Sequence, residues 1–202
     1  MLSLTLFCLT PAILLAANGK ELYKTKLCVN CHGQGGQSLS PQFPYLAGQN
    51  KTYLSNQFTS IVKGKRSVGS AAMMGKHPVL KDFTKQQIDA ISSYLSKLPR
   101  PVQDLSADPK AVAKGRGIYK NIGCKKCHGE DGKGMGKGSA KKYNAYPKLN
   151  GQHSIYVYNQ LKNILAGKRN NDNAKIMKKQ LSKAKLNDHD LRALATYISQ
   201  IH

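Results

Sequence analysis

The chain has 202 residues and a mass of 22.1 kDa, enough for one ordinary domain or two small ones. A 40% apolar content with a mean hydropathy of −0.46 excludes a membrane bundle, and 18 Gly with 8 Pro exclude collagen-like and Pro-rich chains. Thirty-two Lys and Arg stand against 10 Asp and Glu, a formal charge of +22 that predicts an acidic partner.

Residues 1–19 carry no charge. The apolar run from Leu2 to Leu15 is too short and too polar to span a bilayer but suits an export signal, with Ala16 and Ala17 as cleavage site. Cys8 lies inside this run, has no lipid-attachment motif around it, and is expected to leave with the signal. Residues 1–18 are therefore read as signal-like. The basic start of such a signal is missing, which leaves a retained anchor or a buried N-terminal helix as alternatives.

The segment from Gly19 to Cys31 is expected to form a helix running into a cysteine motif. Lys51–Val62 places Leu54, Phe58, Ile61 and Val62 at helical spacing, with Gly64 just past the end. Thr84 and Gln87 form a capping box that opens a helix with Ile88, Ile91, Leu95 and Leu98 on one face. Residues 19–99 thus read as one domain, and 100–110, rich in Pro, as a linker. In a second domain, 111–202, Ser154–Ala166 is closed by Gly167, and Asn187 opens a helix carrying Leu191, Leu194, Ile198 and Ile201. No strand is predicted, so the expected fold class is all-α.

The two domains repeat one another. Phe43-Pro-Tyr-Leu-Ala-Gly-Gln49 matches Tyr146-Pro-Lys-Leu-Asn-Gly-Gln152 at an offset of 103. Cys28-Val-Asn-Cys31-His32 matches Cys124-Lys-Lys-Cys127-His128 at 96, so seven residues are inserted within the Gly/Lys-rich stretch 132–142. Domains of this size have thin cores and usually need a staple or a large cofactor.

Cys8 aside, every cysteine belongs to a Cys-x-x-Cys-His pentad, the attachment signature of c-type haem. Two thiols one helical turn apart reach the two vinyl groups of one porphyrin, and the adjacent imidazole comes under the ring to bind iron. Cys28, Cys31, Cys124 and Cys127 are the candidate thioether anchors, and His32 and His128 the candidate iron ligands. Zinc or simple disulfides are the competing reading. A thioredoxin-like dithiol would need a βαβ context, which is absent. Met74 and Met177 share the offset of 103 and are the candidate sixth ligands, soft thioethers that raise the reduction potential. Met73 competes with Met74, but its counterpart Ile176 cannot ligate. Met135 and His77 are weaker candidates, while His153, His189 and His202 are expected at the surface.

Pro44 and Pro147 are expected to fix the chain beneath the haem, where a nearby carbonyl accepts the imidazole N–H; an ordinary turn proline is the alternative. Tyr53, Gln57 and Arg66, with Tyr156, Gln160 and Arg169, are polar groups held in register by the repeat. They are candidate donors to haem propionates, with solvated helix faces as the alternative.

On these motifs the chain resembles the two-haem class I cytochromes c of the cytochrome c4 family. The resemblance covers nearly all of the expected mature chain. It rests on CVNCHG and CKKCHG, FPYLAGQ and YPKLNGQ, YLSNQF and YVYNQL, GKR twice, and a late Met before a helix carrying Tyr94 or Tyr197. It implies two tandem class I cytochrome c domains, each wrapped around a covalently bound haem c, related by a pseudo-twofold. It also implies His/Met-ligated haems facing one another, and periplasmic, often membrane-associated, electron transfer towards terminal oxidases. The dihaem subunit of sulfide-oxidising flavocytochromes carries the same motifs and gives an alternative reading as an electron-accepting subunit. The expected function is that of a single-electron carrier rather than an enzyme; a gas- or peroxide-reactive haem protein is the third reading. The expected partners are acidic redox proteins, such as a terminal oxidase, a dehydrogenase or a flavoprotein subunit, with an anionic membrane surface as a further candidate. Nucleic acid is not expected, because the lysines interleave with the haem motifs and the chain carries an export signal.

Overall fold

Asn18 accepts hydrogen bonds from the Lys20 and Glu21 amides, which starts α1 (Gly19–Thr25). This computed structural model describes residues 18–101, 106–135 and 139–202. The signal reading of residues 1–17, Cys8 included, lies outside them, as do parts of the 100–110 stretch and of the insertion.

The helix expected to run through to Cys31 is broken. Leu27 adopts φ 58° and a separate turn, α2 (Val29–His32), begins beyond it. The second half does the same between α6 (Pro109–Asn121) and α7 (Lys125–His128), with Gly123 at φ 78° in the equivalent place. A left-handed residue ends a helix and redirects the chain, so each cysteine motif starts on its own axis.

The remaining helices are α3 (Lys51–Val62), α4 (Ser70–Lys76) and α5 (Lys85–Ser96) in the first half, and α8 (Ser154–Leu165), α9 (Ala174–Lys183) and α10 (Asp188–Ser199) in the second. The described residues contain no strand. The expected capping box of Thr84 with Gln87 forms, and Asn187, expected to open the last helix, makes a second box with Asp190. Short 3-10 turns cover Gln34–Gly36, Pro78–Leu80 and Lys141–Ala145.

In each half the first helix crosses the last: α1 packs on α5, and α6 on α10. Glycines allow these crossings. A Cβ on Gly19 would lie 2.1 Å from the Ala90 carbonyl oxygen, and one on Gly115 would lie 2.1 Å from that of Ala193. Gly115→Ala is accordingly expected to destabilise the protein by about 3 kcal/mol, since overpacking against backbone outweighs the ~1 kcal/mol that Ala gains over Gly in a helix. Thermal denaturation checks the sign; a rise in Tm would contradict the close crossing.

Each half builds its own core. One cluster joins Tyr23, Leu54, Phe58, Ile61, Ile91 and Leu95; the other joins Tyr119, Val157, Leu161, Leu181, Leu194 and Ile198. Tyr23 and Tyr119 donate to the carbonyls of Gly33 (2.8 Å) and Gly129 (2.7 Å), which pins the turn after each cysteine motif to the core. The two halves also touch. The turn Lys141–Ala145, which begins at the end of the inserted stretch, packs on α3 of the first half. Arg100 donates to the Asn150 carbonyl at 2.7 Å, and its burial pulls its pKa down to about 10.

Candidate cofactor site

Each histidine of a pentad is fixed by a proline carbonyl. His32 Nδ1 lies 3.4 Å from the Pro44 oxygen, and His128 Nδ1 lies 2.8 Å from the Pro147 oxygen. A carbonyl only accepts, so Nδ1 carries the proton and donates it. Nε2 is left with a free lone pair, the form a metal requires. Burial favours the neutral ring as well. It pulls the His32 pKa down to about 4 against the opposing Pro44 contact, and it lowers that of His128. Phe43 and Tyr146 flank the two rings edge-on, with centroids 6.1 and 6.2 Å away.

The two motifs open onto one cavity of about 560 Å³. Its walls carry Cys28, Cys31, His32 and Met74 from the first half and Cys124, Cys127, His128 and Met177 from the second. Core residues such as Leu54, Ile91, Leu161 and Ile198 line the rest. Met74 and Met177 pack against the two cores, whereas Met73 is 63% exposed. These methionines ride on α4 and α9, short helices that periodicity did not indicate. Burial pushes the thiols of Cys28 and Cys124 up to about 11, which favours the neutral sulfur. Among the described residues no three His, Cys, Asp or Glu side chains converge to hold a bare ion, so the geometry offers no zinc site shared by the pentads.

Between the halves lies a polar cluster made of all six residues singled out by register, with Gln57, Arg66 and Arg169 buried and Tyr53, Tyr156 and Gln160 half-buried. Arg66 donates to Gln57 Oε1 (3.1 Å) in its own half, and to the Tyr156 hydroxyl (2.9 Å) and Gln160 Oε1 (3.1 Å) in the other. Arg169 mirrors it, donating to Gln160 Oε1 (2.7 Å), the Tyr53 hydroxyl (3.1 Å) and Gln57 Oε1 (3.1 Å). The Nε atoms of both arginines are buried without a hydrogen-bond partner. A buried guanidinium donor left open beside an apolar cavity fits an anionic group entering that cavity, such as a haem carboxylate.

Other residues of this interface went unrecognised in the sequence. Asp172 accepts from Gln57 Nε2 and Ser60 Oγ of the first half, both at 2.9 Å, and from Asn171 Nδ2. It stands at φ 48°, where the repeat has Gly69 at φ 61°, so it was hidden by having no acidic counterpart. Gln152 pairs with the Tyr45 amide (2.9 Å) and carbonyl (3.0 Å), and Gln49 pairs with the Lys148 amide (2.7 Å) and carbonyl (2.9 Å). His153, expected at the surface, is buried; it stacks on Tyr45 and lies 3.0 Å from the Ser38 carbonyl. His189 is exposed on the first turn of α10.

Comparison with known proteins agrees with this geometry. The cytochrome c family matches residues 16–99 and again residues 112–202. Cytochrome c4 of Pseudomonas aeruginosa is 35% identical over 187 residues, covering 89% of this chain and 86% of that protein. The crystal structure of reduced recombinant cytochrome c4 from Pseudomonas stutzeri superimposes with a TM-score of 0.73 at 29% identity, covering 93% of this chain and 98% of that one. A thiosulfate dehydrogenase electron acceptor of Thiomonas intermedia is 30% identical over 154 residues, 72% of this chain and 65% of that protein. Two tandem cytochrome c domains, related by a pseudo-twofold and holding two covalent haem c groups, place the chain in the cytochrome c family, in its two-haem cytochrome c4 branch.

Proposed function

We propose that this chain is a periplasmic carrier of single electrons between respiratory redox proteins, with each iron held between a histidine and a methionine. Cys28 and Cys31 would anchor one haem, whose iron His32 and Met74 would hold; Cys124, Cys127, His128 and Met177 would serve the other. The observation that carries this reading is the commitment of both Nδ1 atoms to proline carbonyls, which leaves Nε2 for iron on a cavity whose walls also bear a partly buried Met in each half. When bound, each haem supplies a one-electron Fe(III)/Fe(II) couple. The thioethers of Met74 and Met177 favour the ferrous state and close the sixth position to small ligands. Pro44 and Pro147 keep the imidazoles from rotating, so the ligand set does not rearrange between oxidation states. Arg66 and Arg169 offer their open Nε donors to propionates from either side of the pseudo-twofold. No helix among the described residues is long and apolar enough to cross a membrane.

A second reading, as a dedicated electron-accepting partner of a dehydrogenase, is favoured by the likeness to the Thiomonas intermedia thiosulfate dehydrogenase electron acceptor. Co-purification with a larger dehydrogenase would distinguish it from a free shuttle.

Absorption spectra of the purified holoprotein, oxidised and reduced, with and without carbon monoxide, test the ligand set. Two low-spin c-type haems indifferent to carbon monoxide are expected. A high-spin or carbon-monoxide-binding haem in the untreated protein would remove the carrier reading in favour of catalysis or sensing.

A further inference from the structure

The two halves present their methionine helices to solvent in different electrostatic dress. From Asn173 to Asn187, the stretch containing α9, the second half carries five lysines and no carboxylate. The equivalent stretch of the first half, Ser70 to Thr84, carries Lys76 and Lys81 against Asp82. Position by position, Lys175, Lys178, Lys183 and Lys185 replace Ala72, Gly75, Leu80 and Asp82, while Lys179 matches Lys76. All five lysines are exposed, and among the described residues none of them pairs with a carboxylate.

An apolar contact lies in the middle of this charge. Ile176 is 50% exposed, adjacent in sequence to Met177 and flanked by Lys175 and Lys179. Along the same helix, α9 and the end of α6 leave a hollow of about 490 Å³ lined by Ile118, Ile122, Gln180, Lys183, Ala184 and Leu186. The first half also presents an apolar residue at this place, Met73, but with Lys76 as the one lysine of its helix. Unneutralised lysines around an apolar spot raise the local concentration of an acidic partner and fix its orientation, while the apolar contact holds the encounter.

We infer that the α9 face of the second half, Lys175, Lys178, Lys179 and Lys183 around Ile176, is the docking surface for an acidic electron-transfer protein, and that the α4 face of the first half is not. The inference rests on the carrier reading and makes the second haem the point of exchange with such a partner. One lysine on a surface contributes little, but four of one sign along a single helix about 12 Å apart end to end act together at low salt, where the Debye length reaches about 30 Å.

Stopped-flow reduction of the holoprotein by a reduced plant-type ferredoxin, an acidic donor, tests this across a range of ionic strength. One variant carries Lys175→Gln, Lys178→Gln, Lys179→Gln and Lys183→Gln. A control with the same change in net charge carries Lys20→Gln, Lys24→Gln, Lys81→Gln and Lys97→Gln, all exposed in the first half. At low salt the second-order rate constant is expected to fall about tenfold or more in the α9 variant and by less than about threefold in the control, the two converging at high salt. Replacing the same four α9 lysines by arginine should keep the wild-type rate. Equal losses in both variants would mean that only total charge steers the partner, and would overturn the surface. A larger loss in the control would move docking to the first half, and no loss in either would remove docking by charge. Dithionite titration of the same samples reads the carrier assignment separately. If both haems reduce and reoxidise reversibly while the losses are equal, the docking surface fails and the carrier stands. If a haem does not cycle, the carrier reading itself fails.

Discussion

Met177→Ala is expected to open the second haem: its spectrum should turn towards high spin, it should bind carbon monoxide, and its potential should fall by roughly 0.2 V, a fraction of the ~0.8 V over which axial ligands set haem potentials. The thioether packs against the second core from α9, so its removal leaves a hollow on the cavity wall and no other sulfur in that part of the helix. Met74→Ala should do the same to the first haem alone. Met73→Ala is the internal control, because its side chain is largely exposed while Met74 packs inward. Spectroelectrochemistry with and without carbon monoxide reads all three. A Met73 variant that opens the first haem, beside a silent Met74 variant, would reverse the ligand assignment.

Arg66→Met should weaken the whole interface. The guanidinium is buried and makes one bond within its half and two across to the other. Its loss removes the cross-domain bonds to Tyr156 and Gln160, although both glutamine oxygens keep Arg169 as a donor. The cost should be about 2 kcal/mol, the scale of buried donors and acceptors left short of partners. Removing a buried cation beside the cavity also disfavours adding an electron there. Haem potentials should therefore fall by roughly 70 mV, the effect of one unit charge acting over about 10 Å at an effective dielectric of about 20. Arg66→Lys separates the two effects: it keeps the charge but loses the planar fork, so stability should drop while the potentials hold. Thermal denaturation and redox titration of both variants check this. A potential that falls equally in Arg66→Lys would deny the arginine its electrostatic role.

The sequence announced the parts of this fold that rest on local chemistry. Lys51–Val62 is helical over the predicted span because its apolar residues repeat at helical spacing. Thr84 and Asn187 cap as expected because capping needs only a side chain and an amide three residues on. The contact of His32 with Pro44 and of His128 with Pro147 followed from the need to orient a ligating ring. What stayed hidden depends on distance in the chain. The break at Leu27 has no glycine to mark it, whereas Gly123 marks its counterpart. The seven residues of α4 are too few for a period to emerge, whereas in α9 Ala174, Met177 and Leu181 do stand at helical spacing, a signal diluted by the four lysines of that helix. Tyr53, Gln57, Arg66 and their mates were visible as a repeated pattern. That each set would complete the other across the interface was not, because a pattern repeated in two halves does not reveal that the halves exchange partners. His153 read as a surface residue because its first-half counterpart is Asn50, and its stacking partner Tyr45 lies more than a hundred residues away.

That exchange has a further consequence. Gln152 reads the backbone of Tyr45 while Gln49 reads that of Lys148, and Arg66 and Arg169 reach over in the same reciprocal way. Such a surface is isologous, the kind by which two identical subunits associate about a twofold axis. Here the two copies are tethered, so association is intramolecular and does not depend on the concentration of the protein. Tethering also lifts a constraint that a homodimer cannot escape: a substitution in one copy is no longer imposed on the other. Asp172 opposite Gly69, and a lysine-covered α9 opposite a nearly uncharged α4, are differences only a fused pair can hold. The symmetric contacts hold the halves together, and the asymmetric positions leave the two ends of one molecule chemically unlike.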